Sequence, residues 1–393
     1  MSDARRFGVY VHFPYCLKKC PYCDFASFTT PREDIPHERY RDAVIAELRL
    51  RLAARTSWPR VTSVFFGGGT PSLWREDALG DVLDAFGAEL GFAPNVEITV
   101  ECNPTSLDER KAASLLARGV NRLSIGIQSL SNDRLAFLGR LHDVDLGLAA
   151  MRAAQRAGVK RLSCDLIFGV EGGRRQSADD ARREVTELVD AGLTHLSAYG
   201  LTIEPNTKFG ELARKNKLPI AADDTLADSF FAIDEALTAR GLRHYEISNY
   251  AAPGEEARHN LSYWHGDDVL GLGSSAVGML EDAEGGTATR TKNQPNPNRW
   301  MDAVLAGTLT HAESELLDGP TRVREAIMLG LRLEEGLDVD ALGLRFEGLV
   351  QTPERTCSID RMLRTGRLQR EDSRLSVPRE ARVFTDGIAA ELF

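Results

Sequence analysis

The sequence predicts an α/β protein: a partial (β/α)6 barrel followed by a smaller C-terminal α+β domain of winged-helix-like pattern. Three observations carry that expectation. Six short apolar runs alternate with amphipathic stretches between residues 8 and 201, the pattern of a parallel sheet with helices outside it. Polar or glycine features close five of those runs at the same end, where the loops of a parallel barrel converge on one face. Past residue 322 the pattern becomes helices around one small hairpin.

The elements follow in order. The first strand spans 8–13 and runs directly into Cys16-Leu17-Lys18-Lys19-Cys20-Pro21-Tyr22-Cys23. A helix over 38–55 leads to the second strand, 61–66, which ends in Gly67-Gly68-Gly69-Thr70-Pro71. Helix 76–90 precedes strand 96–101, closed by Glu101, and helix 108–118 precedes strand 122–127, followed by Gln128. After a longer excursion over 133–157, strand 162–168 carries Asp165 in its carboxyl half, and helix 178–190 leads to strand 195–201. The pattern then loosens into a helix over 225–240 and a short strand over 245–250. The segment 281–298, rich in Gly, Thr, Asn and Pro, reads as a linker or long loop. Helices over 322–333 and 353–365, a hairpin within 368–378 and a last helix over 382–392 complete the chain. The implied domains are 1–225, an extension of the core over 226–295, and 296–393.

Composition narrows the function classes. With 393 residues, 42% hydrophobic and 27% charged, the chain has ample core for a globular protein. A net charge of −10 argues against nucleic acid as a partner, since phosphate binding needs clustered Lys and Arg. No run is long enough to span a bilayer and the first residues lack the apolar stretch of a secretion signal, so a cytoplasmic protein is expected. Three of the six cysteines are clustered; Cys102, Cys164 and Cys357 are scattered singly, unlike a disulfide framework.

Cys16-x3-Cys20-x2-Cys23 can converge from one tight loop on a small metal cluster. Three thiolates on a cubane of four irons leave the fourth iron open to a chelating small molecule. The alternative is zinc, with His12 as fourth ligand. The run Gly67–Pro71 removes side chains where a strand ends, so that backbone groups can approach a ligand. Glu101 ends an apolar strand, where a carboxylate needs a partner; a ribose diol suits it, donating both hydroxyl hydrogens.

Cys16-x3-Cys20-x2-Cys23, with Tyr22 before the last cysteine, resembles the signature of the radical S-adenosylmethionine (SAM) superfamily. The flanking Tyr10-Val11-His12-Phe13-Pro14-Tyr15-Cys16 is similar to the branch holding oxygen-independent coproporphyrinogen III oxidase and its heme-chaperone relatives. The resemblance implies a [4Fe-4S] cluster on Cys16, Cys20 and Cys23, and SAM contacts from Tyr10, Gly68, Gly69, Thr70, Glu101, Gln128, Arg140 and Asp165. It further implies an electron donor such as a flavodoxin or ferredoxin.

Within the branch, the oxidase relatives have a further cysteine where this chain has Phe25, and an extension ahead of the cluster motif. The stretches Leu201-Thr202-Ile203-Glu204-Pro205-Asn206-Thr207 and His259-Asn260-Leu261-Ser262-Tyr263-Trp264 resemble the heme-chaperone side, and the likeness continues through Arg324-Glu325-Ala326-Ile327-Met328-Leu329-Gly330-Leu331-Arg332. It implies heme as cargo, with His259 as candidate iron ligand and Tyr263 and Trp264 packing on the macrocycle. The implied recipients are unidentified heme-acceptor proteins, including membrane-bound respiratory ones. Where such relatives carry Ala-His-Gly, this chain reads Ser275-Ala276-Val277-Gly278, so no ligand role applies there. The alternative function is the oxidative decarboxylation of coproporphyrinogen III.

Overall fold

Alternating β-branched and aromatic residues in β1 (Phe7–Phe13) bury Phe7, Val9, Val11 and Phe13 completely on one face, which makes it an interior strand of a large sheet. The computed structural model describes residues 6–172, 175–282 and 285–393. On one side of β1 the expected parallel series follows: β2 (Val61–Gly68), β3 (Phe92–Cys102), β4 (Arg122–Gln128), β5 (Arg161–Phe168) and β6 (His195–Gly200). Helices α1 (His37–Ala53), α2 (Glu76–Glu89), α3 (Glu109–Ala117), α4 (Asn132–Phe137), α5 (Val144–Arg156) and α6 (Ala178–Asp190) form the connections. Their starts are written in the chain. Asp108 and Asp143 accept backbone N–H groups three residues on, and Ser177 with Asp180 forms a capping box.

The sheet is twice as wide as the sequence pattern suggests. After α7 (Lys208–Arg214) and α8 (Asp223–Thr238), the run expected as a single strand over 245–250 is a hairpin, β7 (Arg243–Glu246) and β8 (Asn249–Ala251), added antiparallel beyond β6. Helix α9 (Arg258–Trp264) then returns the chain to the other side of β1, where β9 (Asp268–Leu272) pairs parallel to it. Three antiparallel strands follow, β10 (Val277–Glu281), β11 (Ala288–Asn293) and β12 (His311–Leu317), giving twelve in the order β12-β11-β10-β9-β1-β2-β3-β4-β5-β6-β8-β7. The segment 281–298 is therefore not a linker; β11 lies inside it, and the large sheet continues past residue 295. β12 forms a free edge, exposed along all but its last residue, with Glu313 and Glu315 paired to Lys292 and Arg290 of β11.

One buried carboxylate fastens this extension. Glu47 of α1 is 1% exposed and accepts hydrogen bonds from the Gly273 N–H (2.9 Å), Asn293 Nδ2 (2.8 Å) and Trp300 Nε1 (3.2 Å), with Arg51 at 3.0 Å. Those partners come from the turn after β9, from β11, and from α10 (Pro297–Leu305), which packs on α1.

The C-terminal residues build a second core around Val323, Ile327, Met362, Leu375 and Ile388. It comprises α11 (Gly319–Gly330), α12 (Val339–Arg345), α13 (Pro353–Arg364), α14 (Thr385–Ala390) and a three-stranded sheet of Leu337–Asp338, Arg374–Ser376 and Gln369–Glu371. The last expected helix is split: Arg379–Phe384 is 3-10 helix, and only 385–390 is α-helix. The module docks through a bridge between Glu246 and Leu333, an Arg379–Asp234 ion pair, and Arg382, whose Nη1 donates to His244 Nδ1 at 2.7 Å. Among the described residues no helix is long and apolar enough to cross a membrane.

Glu47→Ala strands three buried donors and Arg51 at once, so a loss on the order of 3–5 kcal/mol is expected in denaturant unfolding. Glu47→Gln, which keeps an acceptor, is expected to lose less.

Candidate cofactor site at the barrel mouth

The cysteine loop is closed at its base. Tyr15–Cys16 pairs in parallel with Phe28–Thr29, the Phe28 N–H donates to the Pro14 carbonyl (2.7 Å), and the Thr30 N–H donates to the Cys16 carbonyl (2.9 Å). Within the loop the Cys23 N–H donates to the Cys20 carbonyl at 3.2 Å, a turn that brings the last two cysteines together. All three cysteines line one cavity of about 380 Å³ at the carboxyl ends of the parallel strands.

The glycine run is demanded by the cysteine strand before any ligand is considered. A Cβ on Gly68 would lie 2.6 Å from the His12 ring, and Gly68 has φ +110, a conformation side-chain-bearing residues avoid. A Cβ on Gly69 would lie 2.8 Å from the Tyr15 carbonyl oxygen, because the Gly69 N–H donates to the Phe13 carbonyl at 2.7 Å. This close approach leaves Gly68, Gly69 and Thr70 on the cavity wall, with Thr70 Oγ1 3.3 Å from Cys16 Sγ.

Opposite lie the other strand ends. Glu101, at the end of β3, accepts the Gly68 N–H at 3.2 Å; burial, and then the neighbouring Asp165 charge, push its carboxyl up to about 8. Asp165 on β5 accepts from Ser124 Oγ (3.2 Å) and is also raised, by burial. Arg140 links this wall to the cysteines. Its Nη1 donates to Cys20 Sγ (3.6 Å) and Tyr22 Oη (3.5 Å), and its Nη2 to the Gly126 carbonyl (2.9 Å). Gly126 makes the room, since a Cβ there would lie 2.8 Å from Gln128 Nε2; Gln128 itself sits at φ 71, where β4 bulges.

Seven of the eight expected SAM contacts thus share one cavity with the three cysteines. Tyr10 is not on that wall: its hydroxyl pairs with His12 Nδ1 at 2.9 Å, below Gly67. His259 lies elsewhere altogether. It is 1% exposed beside Gly8 and Ser63, toward the amino ends of β1 and β2, with Nδ1 2.9 Å from Ser63 Oγ. Its ring stacks on Phe65 (5.2 Å) with Tyr263 edge-on (5.2 Å), and its Nε2 is buried without a protein partner. Tyr199, Leu201, Thr202 and Lys18 also line the mouth and were not expected. Tyr199 falls at the end of β6, so extending the strand-end rule to the sixth strand finds it.

The donor set favours a cubane over zinc. Both His12 nitrogens are engaged, Nδ1 by Tyr10 and Nε2 by the Ala26 carbonyl at 2.8 Å. Among the described residues no group of three or more His, Cys, Asp or Glu is gathered tightly enough for a single ion, whereas a cubane spreads its thiolates over separate irons. Burial raises the Cys16 thiol and pushes Cys23 up to about 11, so binding iron would release protons. The Arg140 Nε is buried beside the cysteines without a partner, as a donor reserved for a ligand would be.

Residues 10–185 match the model of the radical SAM superfamily, and residues 317–384 that of the HemN C-terminal domain. The heme chaperone HemW of Mycobacterium tuberculosis is 36% identical over 366 residues, covering 92% of this chain and 91% of the relative. That of Escherichia coli is 38% identical over 294 residues, 75% of each chain. The zebrafish (Danio rerio) mitochondrial radical S-adenosyl methionine domain-containing protein 1 is 32% identical, covering 86% of this chain and 75% of its own. Among solved structures, coproporphyrinogen III oxidase (HemN) from Escherichia coli superposes with a TM-score of 0.81 at 19% identity, covering 99% of this chain and 90% of that one, which shows a shared fold. Matched along nearly its full length, the chain belongs to the heme chaperone HemW family of the radical SAM superfamily.

Proposed function

We propose that the protein is a cytoplasmic heme chaperone that holds a [4Fe-4S] cluster and SAM at its barrel mouth and passes heme to acceptor proteins, membrane-bound respiratory proteins among them. The observation that carries the cofactor half is the single cavity shared by Cys16, Cys20, Cys23, the Gly68–Thr70 backbone, Glu101 and Asp165. The cargo half rests on similarity to heme chaperones over nine-tenths of the chain.

In this reading the three cysteines hold the cluster, Glu101 takes the ribose diol of SAM, and Gly68, Gly69, Thr70, Gln128, Arg140 and Asp165 complete its contacts. When bound and reduced, the cluster supplies one electron to the sulfonium of SAM, with a flavodoxin or ferredoxin as the source of that electron. The chain's own contributions are orientation and shielding. Arg140 places a cation on a cluster thiolate, and Thr70 lies beside another. Phe25, 61% exposed on the rim, stands where the oxidase relatives carry a further cysteine, which favours the chaperone over the decarboxylase.

Anaerobically reconstituted protein is expected to take up hemin stoichiometrically and to leave coproporphyrinogen III unconverted in the presence of SAM and reductant. Turnover without hemin binding would reverse the assignment. Because Glu101 must ionise to accept two hydroxyls, SAM affinity of the cluster-loaded protein is expected to rise roughly tenfold per pH unit up to about 8 and then flatten. Glu101→Gln should lose both the affinity and the slope. Arg140→Gln removes a charged donor from Cys20, so the cluster's midpoint potential in an EPR-monitored titration is expected to fall, with Arg140→Lys intermediate.

A further inference from the structure

On the flank of the cysteine loop that faces the end of α4, a shallow depression adjoins the mouth cavity, and Cys20 is the one cysteine of the three that lines both. At about 20 Å³ the depression has room for a single water, so it holds no ligand of its own and is reached only by surface contact. Gly139 keeps the flank low. Its φ is +70 and a Cβ there would lie 2.6 Å from Pro21 Cδ, so the chain leaving α4 rests directly on the loop between Cys20 and Cys23. The next residue, Arg140, donates to Cys20 Sγ at 3.6 Å, and the one after it, Leu141, is 51% exposed. An exposed apolar side chain is thus one residue along the chain from a group in contact with Cys20.

Charge is uneven here. The chain carries a net −10, yet among the described residues no carboxylate lines the depression, where the charged groups are Lys18 and Arg140. Lys18 is exposed and its Nζ would lie 3.9 Å from a Cβ on Gly139, which places the ammonium over the depression. Lys19, also exposed, donates to the Phe25 carbonyl at 2.9 Å. The neighbouring acids are engaged elsewhere: Asp24 lines the mouth instead, and Asp143 accepts the Leu146 N–H at the start of α5 (2.8 Å).

An apolar contact flanked by cations, free of acids and beside one thiolate of a redox cluster, suits an acidic protein that exposes the edge of a one-electron cofactor. We propose that this flank is the docking surface for such a carrier and that its electron enters the cluster beside Cys20, an inference that rests on the cluster reading above. Lys18 steers the encounter, Leu141 supplies the apolar contact, and Arg140 joins that surface to the Cys20 sulfur. Redox encounters bury less than about 1,200 Å², so a small patch suffices. The exchange takes one electron from the carrier, which is oxidised, and gives it to the cluster, which is reduced; no bond forms or breaks. Elsewhere the net negative charge of the chain repels an acidic partner. Approach from the flank also leaves the mouth to SAM.

The test uses the full, cluster-loaded chain and two probes, an acidic flavodoxin and a plant-type ferredoxin. It reads carrier binding by calorimetry at low and high salt, and the rate at which the reduced carrier bleaches the visible absorption of the cluster. Wild type is expected to bind at least one carrier, more weakly as salt rises, and to be reduced by it. Leu141→Glu is expected to weaken binding and slow carrier-driven reduction about tenfold, with the dithionite-driven rate and the thermal melt unchanged. Lys18→Glu is expected to weaken binding and flatten its salt dependence. Leu344→Glu, the same change of charge at an exposed position of the C-terminal module, should match wild type. Wild-type behaviour of both flank variants, an equal loss in Leu344→Glu, or a cluster that dithionite reduces and neither carrier does, would overturn the docking surface and leave the cluster reading standing. Absence of iron and sulfide after anaerobic reconstitution would overturn that reading and the docking surface with it.

Discussion

The mouth of this barrel depends on how closely the ends of β1 and β2 approach. The Gly69 N–H bonds the Phe13 carbonyl, and the His12 ring of β1 and the Pro14–Tyr15 backbone just beyond it occupy the space into which side chains at 68 and 69 would project. This contact fixes the height of the cysteine loop relative to the backbone that faces it, with Thr70 brought to Cys16 as a result. A cofactor bridging loop and glycine run would therefore meet two surfaces whose spacing is set by main-chain contact, which varies far less than side-chain packing. The glycines serve the protein's own geometry first and the ligand through it.

The second constraint is electrostatic. Two carboxylates buried side by side and a buried arginine are costly without further partners. Glu101 is held largely protonated at neutral pH, and the Arg140 Nε has no acceptor. Such strain, gathered where strand ends meet, is the usual mark of a ligand-binding centre. In the network below, Glu97 accepts from Arg161 and from the backbone N–H groups of Arg258 and His259, so that buried carboxylate is satisfied by the protein itself.

Much of this was legible in the chain. The six parallel strands are buried on both faces and read as apolar runs, so their positions followed within a few residues, and the carboxyl-end rule assembled the mouth without coordinates. The four strands β9 to β12 escaped notice for opposite reasons. β9 is five residues of Asp-Val-Leu-Gly-Leu, too short to show a period, while β11 is Ala-Thr-Arg-Thr-Lys-Asn, polar enough to pass for a loop. Pairing with neighbours, not composition, makes it a strand. An isolated histidine beside aromatics, as at His259, reads alike in sequence whether the rings stack on it or await a ligand.

Because the sheet does not close, its last strand must protect itself. β12 offers an unpaired backbone edge to solvent, the template on which strands of other molecules add. Its outward residues include His311, Glu313 and Glu315, and the two glutamates are tied to Lys292 and Arg290 on the neighbouring strand. A foreign strand docking there would have to desolvate these ion pairs or set its own acids against them. The chain thus keeps an open architecture in dilute and crowded surroundings alike through a short row of charges, without the closure that spares a complete barrel the problem.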